Sequence, residues 1–278
     1  MLQQLRQALV ISLGAIALFG SACKKDKDPK PTPPSATDTK LVKIQESPDD
    51  YTSFTYNADG TLKTMTQSYR FEFGGVTIST LTLQYGADKK PELGTYNGGN
   101  KLRFFYENGK MVRTELADPK GVLINISIFD YNTAGRLKTY TVFGKVAASD
   151  EVITYKPVLK TDYTYFTVHD SLVHEAVSYR RKGNSDQLQK WSVFRWDTYD
   201  EKKNPLNLLG EFGLAFFRHS SRNNATDEYL YDENMTLQER TENDYTYNSS
   251  GFPVSNKQKV TDPDGPTPTF YTITYTYQ

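Results

Sequence analysis

The sequence predicts an all-β fold: a large curved antiparallel meander sheet, barrel-like or half-shell and soluble, with one short helix near residues 205–218. Three observations favour this class. Aromatic residues make up 13% of the chain and include 20 Tyr and 15 Phe, and such side chains fit the pleated, half-buried surface of a strand. Short segments of alternating character follow one another from Leu41 onward. Turn signals that contain glycine separate these segments.

The strands are clearest at the end of the chain, where aromatic and aliphatic residues alternate with threonine. One face of the last segment carries Tyr271, Ile273, Tyr275 and Tyr277. About fifteen segments have such a pattern, and turn signals such as Asn108-Gly109 divide them into hairpins. A sheet of that width must curl, split or close. A closed barrel and an open curved sheet are therefore both compatible with the sequence.

The N-terminus has the features of an export signal. A short segment containing Arg6 precedes thirteen apolar or small residues, 8–20, too few to span a bilayer as a helix. The FGSAC stretch that follows resembles the lipobox of bacterial lipoproteins, with Gly20 at the usual Leu position. The resemblance implies a signal peptide over residues 1–22 and a lipid anchor on Cys23, which would attach the protein to the membrane. An ordinary signal peptide followed by a free cysteine is the alternative.

Residues 23–39 are rich in Pro, Lys and Asp and contain no large apolar side chain, which predicts an extended tether. A single β-rich domain is predicted over residues 40–278. The charges that follow Cys23 resemble the signals that send some Bacteroidetes lipoproteins to the cell surface. A solvated linker explains them equally well.

The helix is predicted from Pro205, which occupies a first helical position after Asn204. Leu209, Phe212 and Phe216 then follow at spacings of three and four residues. Two glycines in this segment weaken a helix by about 1 kcal/mol each relative to alanine. A helix with so many aromatic side chains must bury them, so we expect it against the concave face or at the end of the curved sheet.

A turn motif recurs in the domain: a tyrosine, then Asn, Asp or Glu, then a short turn that usually contains glycine. Its copies begin at Phe54, Phe104, Phe129, Tyr229 and Tyr245. The acidic or amide side chain closes the turn and glycine adopts a positive φ. This pattern resembles the tyrosine-aspartate (YD) repeats of large β-shell proteins. With the lipobox, the tether, residues 245–253 and residues 196–209, the chain is similar to a Bacteroidetes lipoprotein family of unknown function with a porin-like fold.

Several classes of chemistry are disfavoured. The chain has 33 basic and 33 acidic side chains and no basic stripe, so we expect no nucleic-acid partner. No nucleophile elbow or phosphate-binding glycine loop is present, and we expect no cofactor, no metal and no catalytic residue. The histidines are His169, His174 and His219. The carboxylate pairs are Asp49-Asp50, Asp232-Glu233, and Asp262 with Asp264, and turn formation accounts for them.

The aromatic residues are the remaining candidates for a functional role. Alternation puts Phe194 and Trp196 on one face of their strand and Trp191 on the other, and these three are the candidate ligand-binding residues. We expect a non-enzymatic, lipid-anchored outer-membrane or surface lipoprotein that binds a ligand or partner, a glycan or peptide being the favoured class. The alternatives are a structural or adhesive scaffold and, less favoured, a hydrolase. Polar residues on both strand faces argue against a barrel that spans the membrane.

Overall fold

A computed structural model describes residues 39–71, 75–147, 153–167, 171–183, 185, 187–217 and 221–278. The described residues do not include the predicted signal peptide, Cys23 or any residue of the predicted tether except Thr39. The described part contains the strands β1 (Leu41–Gln45), β2 (Tyr51–Tyr56), β3 (Leu62–Phe71), β4 (Gly75–Tyr85), β5 (Pro91–Tyr96), β6 (Lys101–Glu107), β7 (Lys110–Ala117), β8 (Leu123–Tyr131), β9 (Leu137–Ala147), β10 (Ile153–Tyr165), β11 (Val173–Arg181), β12 (Leu188–Tyr199), β13 (Ala225–Asp232), β14 (Leu237–Tyr247), β15 (Pro253–Thr261) and β16 (Thr269–Tyr277).

The strands form a closed antiparallel barrel in which each strand pairs with its neighbours in sequence and β1 pairs with β16. Leu41 lies opposite Tyr277 and Ile44 opposite Tyr275. The seam is extended by backbone hydrogen bonds of 2.9 and 3.1 Å between Lys40 and Gln278. Closure leaves no edge strand exposed. The barrel form of the predicted sheet is therefore confirmed, with sixteen strands where the turn signals indicated about fifteen.

The hairpin turns have the predicted backbone conformations. Asn108 and Gly109 have φ values of 48° and 83°, as a type I′ turn requires. Asn132 closes another turn, because its side-chain Oδ1 accepts from the backbone N–H groups of Ala134 and Arg136, both at 3.0 Å. These short turns keep successive strands adjacent and so set the meander order.

Tyrosine hydroxyls reinforce one end of the barrel. The last residue of six strands is a tyrosine whose hydroxyl donates to a backbone carbonyl at the start of an earlier strand, at 2.6–2.8 Å. The pairs are Tyr56 with Leu41, Tyr85 with Leu62, Tyr131 with Met111, Tyr165 with Leu137, Tyr199 with Val173 and Tyr277 with Pro253. The tyrosine at the end of a strand thus binds back to the start of the neighbouring strand.

Replacing Tyr85 by Phe should lower the free energy of unfolding by about 1 kcal/mol, because the Leu62 carbonyl loses a donor. Tyr106 is the matched control, since its hydroxyl is buried without a hydrogen-bond partner. Tyr106→Phe should therefore change stability little or raise it. Urea denaturation of both variants measures the difference, and equal losses would show that the hydroxyl bonds do not stabilise this end.

The predicted helix is present in two parts. A 3₁₀ turn spans Pro205–Leu209, and the helix α1 spans Gly210–Phe217. The Asn204 side chain accepts from the Leu206 N–H at 3.0 Å, so the predicted start is confirmed. Gly210, which caps the 3₁₀ turn and is the first residue of α1, has a φ of 55° that interrupts the helix at this point. Arg218, the last residue of the predicted helix, lies outside the described residues.

The helix α1 packs on the inner face of the barrel near the end that holds the tyrosine hydroxyls. The ring of Phe212 lies 6.4 Å from that of Phe104, and Phe217 lies 6.3 Å from Phe54. Glu211 accepts from the Met111 backbone N–H at 3.4 Å. We call this the α1 end of the barrel. The aromatic helix is thus buried inside the curved sheet, as its composition predicts.

The outer face of β11–β15 carries paired charges. Arg195 contacts Glu175 at 3.1 Å, and Arg240 contacts Asp227 at 2.8 Å. A third pair, Lys259 with Glu242, joins β14 and β15 at 2.7 Å. Because side chains alternate along a strand, the residues next to these charged ones in sequence face the lumen.

No helix in the described ranges is long and apolar enough to cross a membrane.

Candidate functional site

Polar and aromatic residues meet on the inner face of six adjacent strands. They come from β12, β13, β14, β15, β16 and the residue after β1, and we call them the inner polar band: Trp196, Glu228, Asn243, Tyr245, Asn256, Gln258, Tyr275 and Glu46. Strand register aligns them, since Trp196 lies opposite Glu228, Asn243 opposite Gln258, and Tyr245 opposite Asn256.

A chain of hydrogen bonds runs through the band. The carboxylate of Glu228 accepts from Trp196 Nε1 at 3.3 Å and from Asn243 Nδ2 at 2.7 Å. The Oδ1 of Asn243 in turn accepts from Asn256 Nδ2 and Gln258 Nε2, both at 2.8 Å. Asn243 therefore connects the carboxylate on β13 with two amides on β15. These bonds fix the orientation of each amide group.

Some buried acceptors in the band have no partner. Asn256 is only 1% exposed, yet its Oδ1 accepts no hydrogen bond. The Oε2 of Glu46 is also buried without a partner. Leaving a buried acceptor unsatisfied costs about 1–3 kcal/mol, and native proteins contain few such atoms. An unpaired acceptor on an inner face is a group that a bound ligand or water would satisfy.

Parts of the band remain in contact with solvent. The side chains of Tyr245, Gln258 and Tyr275 are half-buried, so each keeps some accessible surface on the inner face. They alternate along their strands with exposed outer residues such as Lys257 and Thr274. A barrel of sixteen strands is wide enough to enclose an aqueous space. This sector of the lumen is therefore accessible to water, whereas α1 and the aromatic residues around it occupy the lumen at the α1 end.

Burial shifts the proton equilibria of the band. Desolvation raises the pKa of Glu228 from its ordinary value of 4.5 to about 7, although the hydrogen bonds from Asn243 and Trp196 act in the opposite direction. Burial, with a smaller effect of Asp50, raises the pKa of Glu46 well above its ordinary value. Burial also raises the pKa of the Tyr275 hydroxyl, with further effects from Glu46 and Glu228. Tyr275 thus lies within electrostatic reach of both carboxyls.

The structure separates the three predicted ligand-binding residues. Trp196 is 8% exposed and belongs to the core. Phe194 is half-buried and stacks on Trp196, with ring centroids 5.8 Å apart and planes 23° apart. Trp191 has no partner in the strand pairing between β11 and β12, and the guanidinium of Arg180 lies 4.1 Å from its ring centroid. Trp196 is thus brought into the band with Phe194 beside it, and Trp191 lies elsewhere.

A second depression lies at the α1 end, with a volume of about 450 Å³ and a lining that includes Phe166, Tyr199, Asp200 and Arg222. Its Asp200 carboxylate is engaged in structure, since it accepts from the Asn224 backbone N–H at 3.1 Å and from the Tyr247 hydroxyl. These bonds hold the connection between β12 and β13.

The histidine and the carboxylates that the sequence singled out contact neighbouring residues of the fold. His174 lies 4.7 Å from the Phe166 ring, whereas His169 and His219 lie outside the described residues. Asp50 is buried and accepts from the Arg70 backbone N–H at 2.9 Å. Asp232 closes a turn by accepting from the Asn234 and Thr236 N–H groups, both at 2.8 Å. Within the described ranges, no three His, Cys, Asp or Glu residues are grouped so that they could hold a metal ion.

The fold defines the class of protein: a closed sixteen-stranded antiparallel β-barrel with a helix on its inner face. No protein-family model matches the chain, and no curated protein is similar to it in sequence.

The barrel is similar to two solved structures. One is a porin-like protein from Bacteroides uniformis, with 16% identity over 86% of this chain and 95% of that chain and a TM-score of 0.55. The other is a porin-like protein from Bacteroides vulgatus, with 13% identity over 87% of this chain and 99% of that chain and a TM-score of 0.50. At these identities the likeness concerns the fold, and the predicted porin-like fold is confirmed.

Sequence reasoning missed most of the band. Glu228 follows Asp227 in an ordinary strand, and Asn243 and Asn256 resemble turn or surface residues when they are read alone. One signal was available, since polar residues stand at inner positions of β13, β14 and β15 where a core strand would carry aliphatic residues. That signal becomes informative only when the strand faces are known.

Proposed function

We propose that this protein is an exported, lipid-anchored lipoprotein of the outer membrane or cell surface, and that its barrel binds a ligand at the inner polar band without catalysing a reaction. The observation that carries the proposal is the unsatisfied acceptor of Asn256, buried within a hydrogen-bonded network that faces a water-accessible lumen. A ligand site typically combines apolar and aromatic walls with a few polar groups in fixed positions. The band has this composition.

The charged outer face of the barrel favours attachment to the membrane by a lipid anchor over insertion of the strands into the bilayer. Charged pairs such as Arg195–Glu175 and Lys259–Glu242 lie on the outer face, and a basic residue that faces lipid at the middle of a bilayer costs about 2–4 kcal/mol. An outer wall of this kind is suited to water. In the proposed arrangement Cys23 carries the acyl chains, and two such chains suffice for a stable anchor.

A labelling experiment tests the anchor. Cells that express the full chain and receive a clickable palmitate analogue should yield a labelled protein in the membrane fraction. The Cys23→Ser variant should be unlabelled and should leave that fraction. Equal labelling of the two chains, or no labelling of either, would contradict lipid attachment at Cys23.

The binding proposal is tested with a glycan and peptide array. The barrel over residues 39–278 is suitable, because its seam closes within that range. Any ligand that binds should lose affinity when Phe194 or Trp196 is changed to Ala, and should keep it when Trp191 is changed to Ala. Loss only with Trp191→Ala would move the site to the surroundings of Arg180. No binding by a folded barrel to either array would favour a structural or adhesive scaffold.

A further inference from the structure

The hydrogen-bond chain of the inner polar band has a direction. At one end, Trp196 Nε1 donates to the Oε2 of Glu228 at 3.3 Å, and Asn243 Nδ2 donates to the Oε1 at 2.7 Å. The Oδ1 of Asn243 then accepts from Asn256 and Gln258. Every bond thus points toward the Glu228 carboxyl, and both of its oxygens are acceptors only while it is ionised. The unpaired Oδ1 of Asn256 is the other end of the chain.

A proton on Glu228 is incompatible with this direction. The indole nitrogen of Trp196 can only donate, so the Oε2 that it contacts must stay an acceptor. The proton therefore belongs on the Oε1, which lies 2.7 Å from Asn243 Nδ2. Two donors would then face each other across this distance. A flip of the Asn243 amide removes the conflict, because its oxygen then accepts from the Oε1–H group.

The flip of Asn243 imposes the same change on the next two residues. Its Nδ2 would face the nitrogens of Asn256 and Gln258, which both lie 2.8 Å from the Oδ1 of the unflipped amide. Both of these amides must therefore flip as well, and each oxygen then accepts one of the two N–H groups of Asn243. In the reversed chain the free atom of Asn256 is its Nδ2, a donor. With Glu228 ionised, the free atom is the Oδ1, an acceptor.

We propose that one proton on Glu228 reverses this chain through Asn243, so that the group which the band offers to a ligand at Asn256 changes from an acceptor to a donor. This inference rests on the proposed ligand-binding function and adds the regulation of that site. A ligand that donates to Asn256 binds when Glu228 is ionised, and a ligand that accepts from Asn256 binds when Glu228 is protonated. Ligand binding and proton uptake are therefore linked.

The proton equilibrium of Glu228 lies where such a reversal has an effect. Burial raises its pKa to about 7, and Glu239 on β14 adds a smaller effect in the same direction. Among the described residues, the other titratable groups that Glu228 affects are the hydroxyls of Tyr199 from β12, Tyr245 from β14 and Tyr275 from β16. Burial raises the pKa of each hydroxyl, so all three keep their protons near pH 7. Both directions of the chain are therefore populated near neutral pH.

A pH titration of the barrel over residues 39–278, without ligand, tests the reversal. ¹H–¹⁵N spectra report the side-chain amides of Asn243 and Asn256 and the indole of Trp196, and single substitutions assign these signals. All three should move with one midpoint near pH 7, the pKa of Glu228. The chain has two tryptophans, and the indole signal of Trp191 should not follow this transition. Constant Asn256 signals between pH 5.5 and pH 8.5, while that of Trp196 titrates, would overturn the proposal.

Glu228→Gln distinguishes the reversal from a simple change of charge. Glutamine offers an oxygen to Trp196 and an amide nitrogen to Asn243, so it imitates the protonated carboxyl. The Asn256 signals of this variant should match the low-pH signals of wild type at every pH. Glu242→Gln, which removes a carboxylate from the outer face, should leave the transition unchanged. A match between Glu228→Gln and the high-pH signals of wild type would contradict the reversal.

Asn243→Leu tests the residue that transmits the change. This substitution removes the hydrogen bonds that connect Glu228 with Asn256. The Trp196 signal should still titrate, whereas the Asn256 signals should become independent of pH. Asn256 signals that keep the wild-type midpoint would show that the chain does not transmit the proton, and would overturn the proposal. The wild-type titration and Glu228→Gln decide the question if this variant fails to fold.

The outcomes separate the reversal from ligand binding, because the titration requires no ligand. If the amides do not reverse and an array ligand shifts the Trp196 signal, the band binds ligands and the present inference is wrong. If the amides reverse and no array ligand affects Trp196, the ligand-binding proposal fails. A ligand that contacts Asn256 should change its affinity about tenfold between pH 6 and pH 8, as the ionised fraction of Glu228 does. Tighter binding at pH 8 identifies a donor, and tighter binding at pH 6 an acceptor.

Discussion

Replacing Phe212 by Ala should lower the free energy of unfolding by about 3–5 kcal/mol, the usual range for a buried Phe truncated to Ala. Phe212 is 4% exposed, and its ring lies 4.4 Å from Phe216 and 6.4 Å from Phe104. The substitution leaves a cavity between α1 and the barrel wall. Equilibrium denaturation in urea, followed by far-UV circular dichroism, measures the loss.

Phe270→Ala is the matched control, because the Phe270 ring is 66% exposed on β16. The same chemical change should there alter stability by less than about 0.5 kcal/mol. A small effect at Phe212 would contradict the packing of α1 inside the barrel. Large effects at both positions would indicate that the exposed ring is covered in the protein as it exists in solution.

Replacing Glu228 by Gln should stabilise the barrel at high pH, by as much as about 3 kcal/mol at pH 8.5. The reason is the raised pKa of Glu228, about 7 in the folded barrel against an ordinary value of 4.5. The folded state binds the proton more tightly than the unfolded state does, so this residue favours folding at low pH. Its contribution is lost as the pH rises from about 4.5 through 7, and above pH 7 the buried carboxylate is a cost that glutamine avoids.

The measurement is the free energy of unfolding of both chains between pH 5 and pH 8.5. The difference between Glu228→Gln and wild type should be small at pH 5 and should grow until about pH 7. Glu242→Gln makes the same change on the outer face, where Glu242 contacts Lys259, and should not reproduce the effect. A pH-independent difference at Glu228 would show that its carboxyl is not buried.

The strands and hairpins were predictable because their signals are local. The Asn108-Gly109 turn is determined by two adjacent residues, and alternation along β16 assigns Tyr271 and Tyr275 to one face without knowledge of the neighbours. Closure was not predictable, because it depends on pairing between Leu41 and Tyr277 at opposite ends of the domain. No local pattern distinguishes a strand that closes a barrel from one at the edge of an open sheet.

The helix was predicted in the right place, but helix propensity does not explain its two glycines. Gly213 weakens a helix by propensity, yet a Cβ at this position would lie 2.8 Å from the Leu206 carbonyl oxygen. The backbone therefore requires glycine there. Gly210 likewise occupies the positive φ that divides the 3₁₀ turn from α1. Both features depend on the path of the preceding turn, which the sequence does not specify.

The site was predictable only in part. Trp196 and Phe194 were identified from their aromatic character, and the stacking of the two follows from their i, i+2 spacing on one strand. Glu228, Asn243 and Asn256 come from three other strands and meet through side-chain hydrogen bonds. Such a network is a property of strand register. The inner face must be known before these residues can be recognised as a group.

Cysteine accessibility tests the central claim, a closed barrel whose inner polar band faces water. The barrel over residues 39–278 contains no cysteine, since Cys23 is the only one in the chain. Ile273→Cys places a thiol on the inner face of β16, and Thr272→Cys places one on the exposed outer face. Each is treated with ethylammonium and ethylsulfonate methanethiosulfonates and with a 5-kDa polyethylene glycol maleimide.

We predict that the cysteine at position 273 reacts with the small reagents and is protected from the polymer. The cysteine at position 272 should react with all three. Full reaction of position 273 with the polymer would indicate an open sheet instead of a closed barrel. Protection of position 273 from every reagent would contradict a water-accessible lumen and, with it, the proposed ligand site.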